Sequence, residues 1–244
     1  MLPVVEPPLT SQLIRARFEA LSARLRDAAA GGGQDPDRVR IVAVTKGFDL
    51  AVVMEARGAG VNRFGESRIQ EALPKVAAAP GAEWHLIGRL QNNKVRPAVR
   101  AFAMIHSVDS LELLGRIDRI AVEERMAPDL CLQVNLAGEA NKGGFDGRWF
   151  ADQATRRGDL GEAITALRSS RVVGLMTIAP LGLAPGDSRA AFARLRGLRD
   201  ELAATIGRAL PELSMGMSAD ASEAVAEGAT LVRIGTAIFG PRSV

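Results

Sequence analysis

Val39-Arg40-Ile41-Val42-Ala43-Val44-Thr45 runs directly into Lys46. The stretch is short, apolar and β-branched, which predicts a buried strand. Seven further runs of this kind follow: Arg63 to Gly65, Trp84 to Gly88, Met104 to Val108, Leu130 to Asn135, Val172 to Ile178, Leu213 to Met215 and Leu231 to Ile234. Between them the spacing predicts helices over Leu50 to Ala59, Arg68 to Ala79, Asn92 to Arg100, Ser110 to Met126, Trp149 to Ser169, Ser188 to Leu210 and Ala221 to Glu227. An amphipathic helix from Thr10 to Ala30 precedes them all. Eight strands alternating with seven helices make the pattern of a single (β/α)8 TIM-type barrel, with a doubly wound open sheet as the competing architecture. The proline-rich start, residues 1–9, reads as a flexible lead into one domain over 10–244, and Ala179 to Asp187 reads as a surface loop or a lid.

The chain has 244 residues, 47% of them hydrophobic, enough for a large core. Its isoelectric point near 9.6 suggests nucleic acid. However, the net charge is only +3 and tyrosine is absent, so the stacking platforms of single-strand binders are missing. The basic segment Arg89, Lys94, Arg96 and Arg100 reads as a solvated helix face, with a client apo-enzyme as the alternative occupant. No apolar run approaches the roughly 20 residues that span a bilayer, and the start lacks a signal-peptide pattern. Cytoplasmic residence, no membrane and no nucleic acid are the expectations. Cys131 lies in an apolar run, where a thiol packs as a small hydrophobe. No metal-ligand cluster is expected.

Only four lysines, Lys46, Lys75, Lys94 and Lys142, occur among 31 basic side chains; the rest are arginine. An amine at a buried strand's exit, in a chain that otherwise uses guanidinium, points to nucleophilic attack on a carbonyl, as in Schiff-base formation. The alternative is a strand-end lysine reaching water. In a barrel every strand's C-terminal end faces one side, where such folds place their chemistry. Met217-Ser218 leads into one helix there, and Gly235-Thr236 opens another. Glycine and hydroxyl residues at helix starts let donors converge on an anion. A phosphate-bearing aldehyde that reacts with lysine is pyridoxal 5′-phosphate (PLP), and Arg233 is the candidate donor to its ring nitrogen. The alternative for Arg233 is a pair with a carboxylate such as Glu66 or Glu83.

These residues resemble the pyridoxal phosphate homeostasis proteins of the YggS/PROSC type. The likeness rests on Val42-Ala43-Val44-Thr45-Lys46, Phe64-Gly65-Glu66, Gln70-Glu71 and Trp84-His85-Leu86-Ile87-Gly88. It continues through Leu90-Gln91-Asn92-Asn93-Lys94, Ile105-His106-Ser107-Val108-Asp109, Val134-Asn135, Gly174-Leu175-Met176 and the block from Leu213 to Gly240. It implies an alanine racemase-like barrel with PLP bound covalently to Lys46. Ser218, Gly235 and Thr236 are implied at the phosphate and Arg233 at the ring nitrogen. Met217, Asn135 and His85 are further candidate contacts. Two positions depart from the family's habit: Ser67 stands where asparagine is usual, and Ala137 where serine is usual.

The rival reading is an amino-acid racemase. Racemisation needs proton donors on both faces of a planar intermediate, and two-domain racemases supply the second from a tyrosine. This chain shows neither a second domain nor any tyrosine. His85 or Cys131 would have to serve, and His85 in its apolar setting reads as a structural histidine. The expectation is therefore a cofactor-holding role in PLP homeostasis with no catalytic residues, acting as a monomer, with PLP-dependent apo-enzymes as the expected partners.

Overall fold

The computed structural model describes residues 9–138, 143–156, 158–179 and 185–241, with backbone alone at 185–187. Eight strands alternate with helices: β1 Arg40–Val44, β2 Arg63–Glu66, β3 Glu83–Leu86, β4 Met104–Val108, β5 Asp129–Asn135, β6 Arg171–Met176, β7 Glu212–Ser214 and β8 Leu231–Ile234. Each pairs in parallel with the next, and β8 pairs in parallel with β1 through Ile41↔Val232, Val42↔Arg233 and Ala43↔Ile234. That last pairing closes the barrel and rules out the open sheet. The helices are α1 Ser11–Gly31, α2 Leu50–Gly58, α3 Ile69–Ala78, α4 Val95–Ala101, α5 Leu111–Glu124, α6 Gly147–Ala154, α7 Asp159–Thr165, α8 Pro185–Ile206, α9 Ala221–Ala226 and α10 Thr236–Phe239.

Local chemistry explains where the helices begin. Thr10, Asp49 and Ser110 each accept an amide hydrogen bond from the third residue onward, at the starts of α1, α2 and α5. Two details differ from the expected pattern. A two-residue strand, Phe145–Asp146, extends the sheet beside the end of β5. The single helix expected over Trp149 to Ser169 is instead two, α6 and α7. The Gln153 side chain of α6 caps the start of α7, its Oε1 accepting the Leu160 amide at 3.3 Å. A Cβ on Gly158 would stand 2.7 Å from that same oxygen, so a larger residue there would push the Gln153 side chain aside. The proline-rich start, apart from Leu9, and residues 180–184 of the proposed loop or lid lie outside the described residues.

Two apolar layers hold the fold. The larger lies between sheet and helices and includes the fully buried Phe64, Phe150, Phe192 and Phe239. The smaller fills the barrel with Val42, Met104, Cys131, Met176 and Leu231. α1 packs on α2, α9 and α10, covering the seam where the last unit meets the first. No described helix is long and apolar enough to cross a membrane.

Gly174 on β6 marks the tightest strand contact, since a Cβ there would lie 1.9 Å from the Glu212 carbonyl oxygen on β7. Gly174→Ala should destabilise the barrel by about 1–3 kcal/mol or more, read as a lower urea midpoint with an unchanged slope.

Candidate functional site

Strand alternation decides what reaches the barrel rim. On β1, Ile41 and Ala43 pack outward against helices while Val42 packs inward. Thr45 continues the outward set and Lys46 the inward one. Lys46 is half-buried in the turn that follows β1. The register Val42↔Arg233 sets Arg233 four residues below Lys46 on the neighbouring strand. Gly235 follows at the strand's exit, where a Cβ would stand 3.3 Å from the Val44 carbonyl oxygen.

The peptide on both sides of Lys46 is pinned from behind. Lys75 Nζ donates to the Thr45 carbonyl at 2.9 Å, to Glu66 Oε1 at 2.7 Å and to Glu71 Oε1 at 3.2 Å. The Thr45 hydroxyl donates to Glu66 at 2.7 Å, and the Gly47 amide donates to Glu71. Burial pushes the Glu66 carboxyl upward from its ordinary value, against the hydrogen bonds from Lys75 and Thr45. Sequence reasoning missed this cluster. Its signal was available: Lys75 is another of the rare lysines, one helical turn after Glu71.

The loops after β7 and β8 meet. Ser218 Oγ accepts the Ala237 amide at 3.4 Å, and the first amides of α10 have no carbonyl within their own helix to bond. Asp220 Oδ1 holds the Met217 amide at 2.6 Å. Gly216 has φ +90°, and a Cβ there would collide with Ala224 Cβ at 2.6 Å. Thr236 is exposed at the start of α10, and Ser218 and Met217 are half-buried. Hydroxyl and amide donors thus converge beside Gly235, a donor set suited to an anion.

Arg233 is buried in the barrel, donating through Nη1 to Ser214 Oγ at 2.7 Å and through Nη2 to the Thr177 carbonyl at 2.9 Å. Neither partner is a carboxylate. Glu66 is engaged by Lys75, and Glu83 by Arg63 at 2.7 Å, so the alternative pairing for Arg233 is not what the fold builds. Burial lowers the Arg233 guanidinium to about 10, which leaves it charged at neutral pH with donors to spare.

The remaining candidates lie on β3 and β5. Asn135 ends β5, and its Oδ1 accepts the Gly138 amide at 3.1 Å in the turn that carries the exposed Ala137. His85 is fully buried, with Nδ1 on His106 and Nε2 on Glu83. Cys131 is fully buried, and burial pushes its thiol well above the ordinary range. In the basic segment Arg96 pairs with Glu123 and Glu124 and Arg100 with Glu124, and the exposed Arg89 stands 3.9 Å from Asp109. No metal-binding cluster occurs among the described residues.

The Glu66 and Glu83 pairs give two testable outcomes. Lys75→Met should cost about 3–5 kcal/mol, because it strands the Glu66 charge, and adding Glu66→Gln should recover much of that loss in a denaturant titration. The Glu83 carboxyl is lowered to about 2 by its hydrogen bond from His85 and by Arg63. A depressed carboxyl stabilises the fold above its unfolded value near 4.5 and loses that contribution as pH falls toward 2. Glu83→Gln should flatten that part of the acid-unfolding curve.

Comparison with known proteins gives the family of this fold. The alanine racemase N-terminal domain family matches residues 17–243. The pyridoxal phosphate homeostasis protein of Synechocystis is 45% identical over 210 residues, covering 85% of this chain and 93% of the relative. Its counterpart in Pseudomonas aeruginosa is 42% identical over 231 residues, covering 94% of this chain and 96% of the relative. The solved structure of PipY from Synechococcus elongatus with PLP bound is 42% identical, with a TM-score of 0.80 over 93% of this chain and 100% of PipY. The Lys46 strand, the Arg233 strand and the loops that join them therefore belong to a member of the pyridoxal phosphate homeostasis protein family.

Proposed function

We propose that this protein binds PLP as a Schiff base on Lys46 and serves intracellular PLP homeostasis by holding the cofactor, without a dedicated reaction of its own. One observation carries the reading: the β8–β1 register sets Arg233 and Gly235 beside the strand that ends in Lys46. PLP supplies an aldehyde, a phosphate and an electron-withdrawing pyridine ring. The donor set suits it part by part. Lys46 provides the amine, Ser218, Gly235 and Thr236 the phosphate cradle, and Arg233 a donor to the ring nitrogen.

The chain's own residues favour holding over turnover. Arg233 offers only donors, so it leaves the ring nitrogen without a proton and the ring a poor electron sink. A racemase would also need an acid on the face opposite Lys46. His85 spends both ring nitrogens inside the barrel, and the Cys131 thiol is buried. Met217 and Asn135 remain proposed as flanking contacts. The reading retains a cytoplasmic monomer whose clients are apo-enzymes that require PLP.

Purified protein supplied with PLP should show an absorbance band near the visible edge that Lys46→Ala abolishes. Incubation with L- and D-amino acids in deuterated water should leave the α-proton in place. Exchange at enzymatic rates would overturn the holding role in favour of a racemase-type reaction.

A further inference from the structure

The chain's two histidines, His85 and His106, are both fully buried in the barrel, and the function proposed above uses neither. They lie in one file of hydrogen bonds. Arg233 Nη1 meets Ser214 Oγ at 2.7 Å, and Ser214 Oγ meets His106 Nδ1 at 2.7 Å. His106 Nε2 meets His85 Nδ1 at 2.8 Å, and His85 Nε2 meets Glu83 Oε1 at 2.8 Å. Glu83 also accepts from Arg63 and lies at the opposite mouth of the barrel, in a cavity of about 460 Å³ shared with Arg40 and Arg63.

The direction of every hydrogen bond in the file is forced. Glu83, paired with Arg63, is ionised and can only accept, so His85 Nε2 carries a hydrogen. Burial disfavours a charged imidazole at both positions. At His85 burial outweighs the opposing pull of the Glu83 hydrogen bond and charge, with Arg63 and Arg40 adding repulsion, and at His106 burial is joined by repulsion from His85, Arg233 and Arg40. A neutral His85 then has a bare Nδ1, which must accept from His106 Nε2. That leaves His106 Nδ1 bare, to accept the Ser214 hydroxyl hydrogen. The Ser214 oxygen is free to accept from Arg233. Each donor points away from Arg233 and toward the Glu83 carboxylate. Glu212, near Arg40, the Cys131 thiol, Asp129 and Asp220 also act on this interior, and the imidazoles' hydrogen bonds go instead to each other, Glu83 and Ser214.

We propose that Ser214, His106, His85 and Glu83 are positioning residues for Arg233, a one-way hydrogen-bond file that takes up one edge of the guanidinium and presents its remaining donors to the cofactor's ring nitrogen. The proposal rests on PLP being seated at Lys46 as proposed above. The file lets a distant carboxylate stabilise Arg233 through aligned dipoles. A carboxylate in direct contact would instead cancel the guanidinium's field at the ring.

The test uses the full chain. Nitrogen NMR of the histidine-labelled protein without cofactor should show two imidazoles only, both Nε2–H tautomers, neither titrating between about pH 5.5 and about 8. An Nδ1–H tautomer at either position, or a midpoint near the ordinary value of about 6.5, overturns the file. With PLP added, His106→Phe and Ser214→Ala should each raise the dissociation constant about tenfold and shift the wavelength of the bound cofactor's band. His106→Gln keeps a donor and an acceptor and should restore most of both. If both disruptive variants keep wild-type affinity and band position, the positioning role fails while PLP binding stands. If the wild-type protein takes up no PLP, the Lys46 reading fails first, and the positioning role falls with it. Should a variant fail to fold, the tautomers of the wild-type histidines still decide whether the file exists.

Discussion

The parallel pairing of β8 with β1 is the contact on which everything else depends. Without it the strands would form an open sheet, and Lys46 would stand at one edge with Arg233 and Gly235 at the other. Closure makes first and last neighbours and brings residues nearly two hundred positions apart within reach of one small ligand. Such long-range pairing carries a loop-closure cost that only the completed core offsets. The packing of α1 across that seam, on α2, α9 and α10, adds apolar burial where the ring is joined.

Charge is used inside this fold in two distinct ways. Behind the β1 exit, Glu66, Lys75 and Glu71 form a compact ionic cluster that holds the backbone around Lys46. Within the barrel, Arg233 donates to two neutral groups, the Ser214 hydroxyl and the Thr177 carbonyl. The first arrangement fixes geometry through strong local pairing. The second leaves positive charge available toward a ligand. Replacing either with the other would defeat it, since a paired Arg233 would be electrically silent and an unpaired Lys75 would strand Glu66.

Much of this was legible in the sequence, for identifiable reasons. β1 could be read because its β-branched run ends in an amine that composition marks as unusual, and the loops after β7 and β8 because glycine and hydroxyl residues gather there. The split of α6 from α7 was hidden, because the Gln153 side chain caps the start of α7 and helical spacing carries no trace of such a bond. The roles of Lys75 and His106 were hidden for another reason. Each acts through partners on other strands, Lys75 on Thr45 and Glu66, His106 on Ser214 and His85. Those neighbours exist only once the barrel closes.

The burial of Cys131 has a consequence for chemical selectivity. An aldehyde reacts with thiols as readily as with amines, so a protein that carries one must keep rival nucleophiles out of its reach. Cys131 sits in the lumen of the same barrel, sealed among Val42, Met104, Met176 and Leu231 and held as the unreactive thiol. Lys75, the amine nearest in sequence to Lys46, is locked between two carboxylates. If Lys46 is the point of attachment, as proposed, the fold selects it as much by silencing these competitors as by placing Lys46 at the barrel rim.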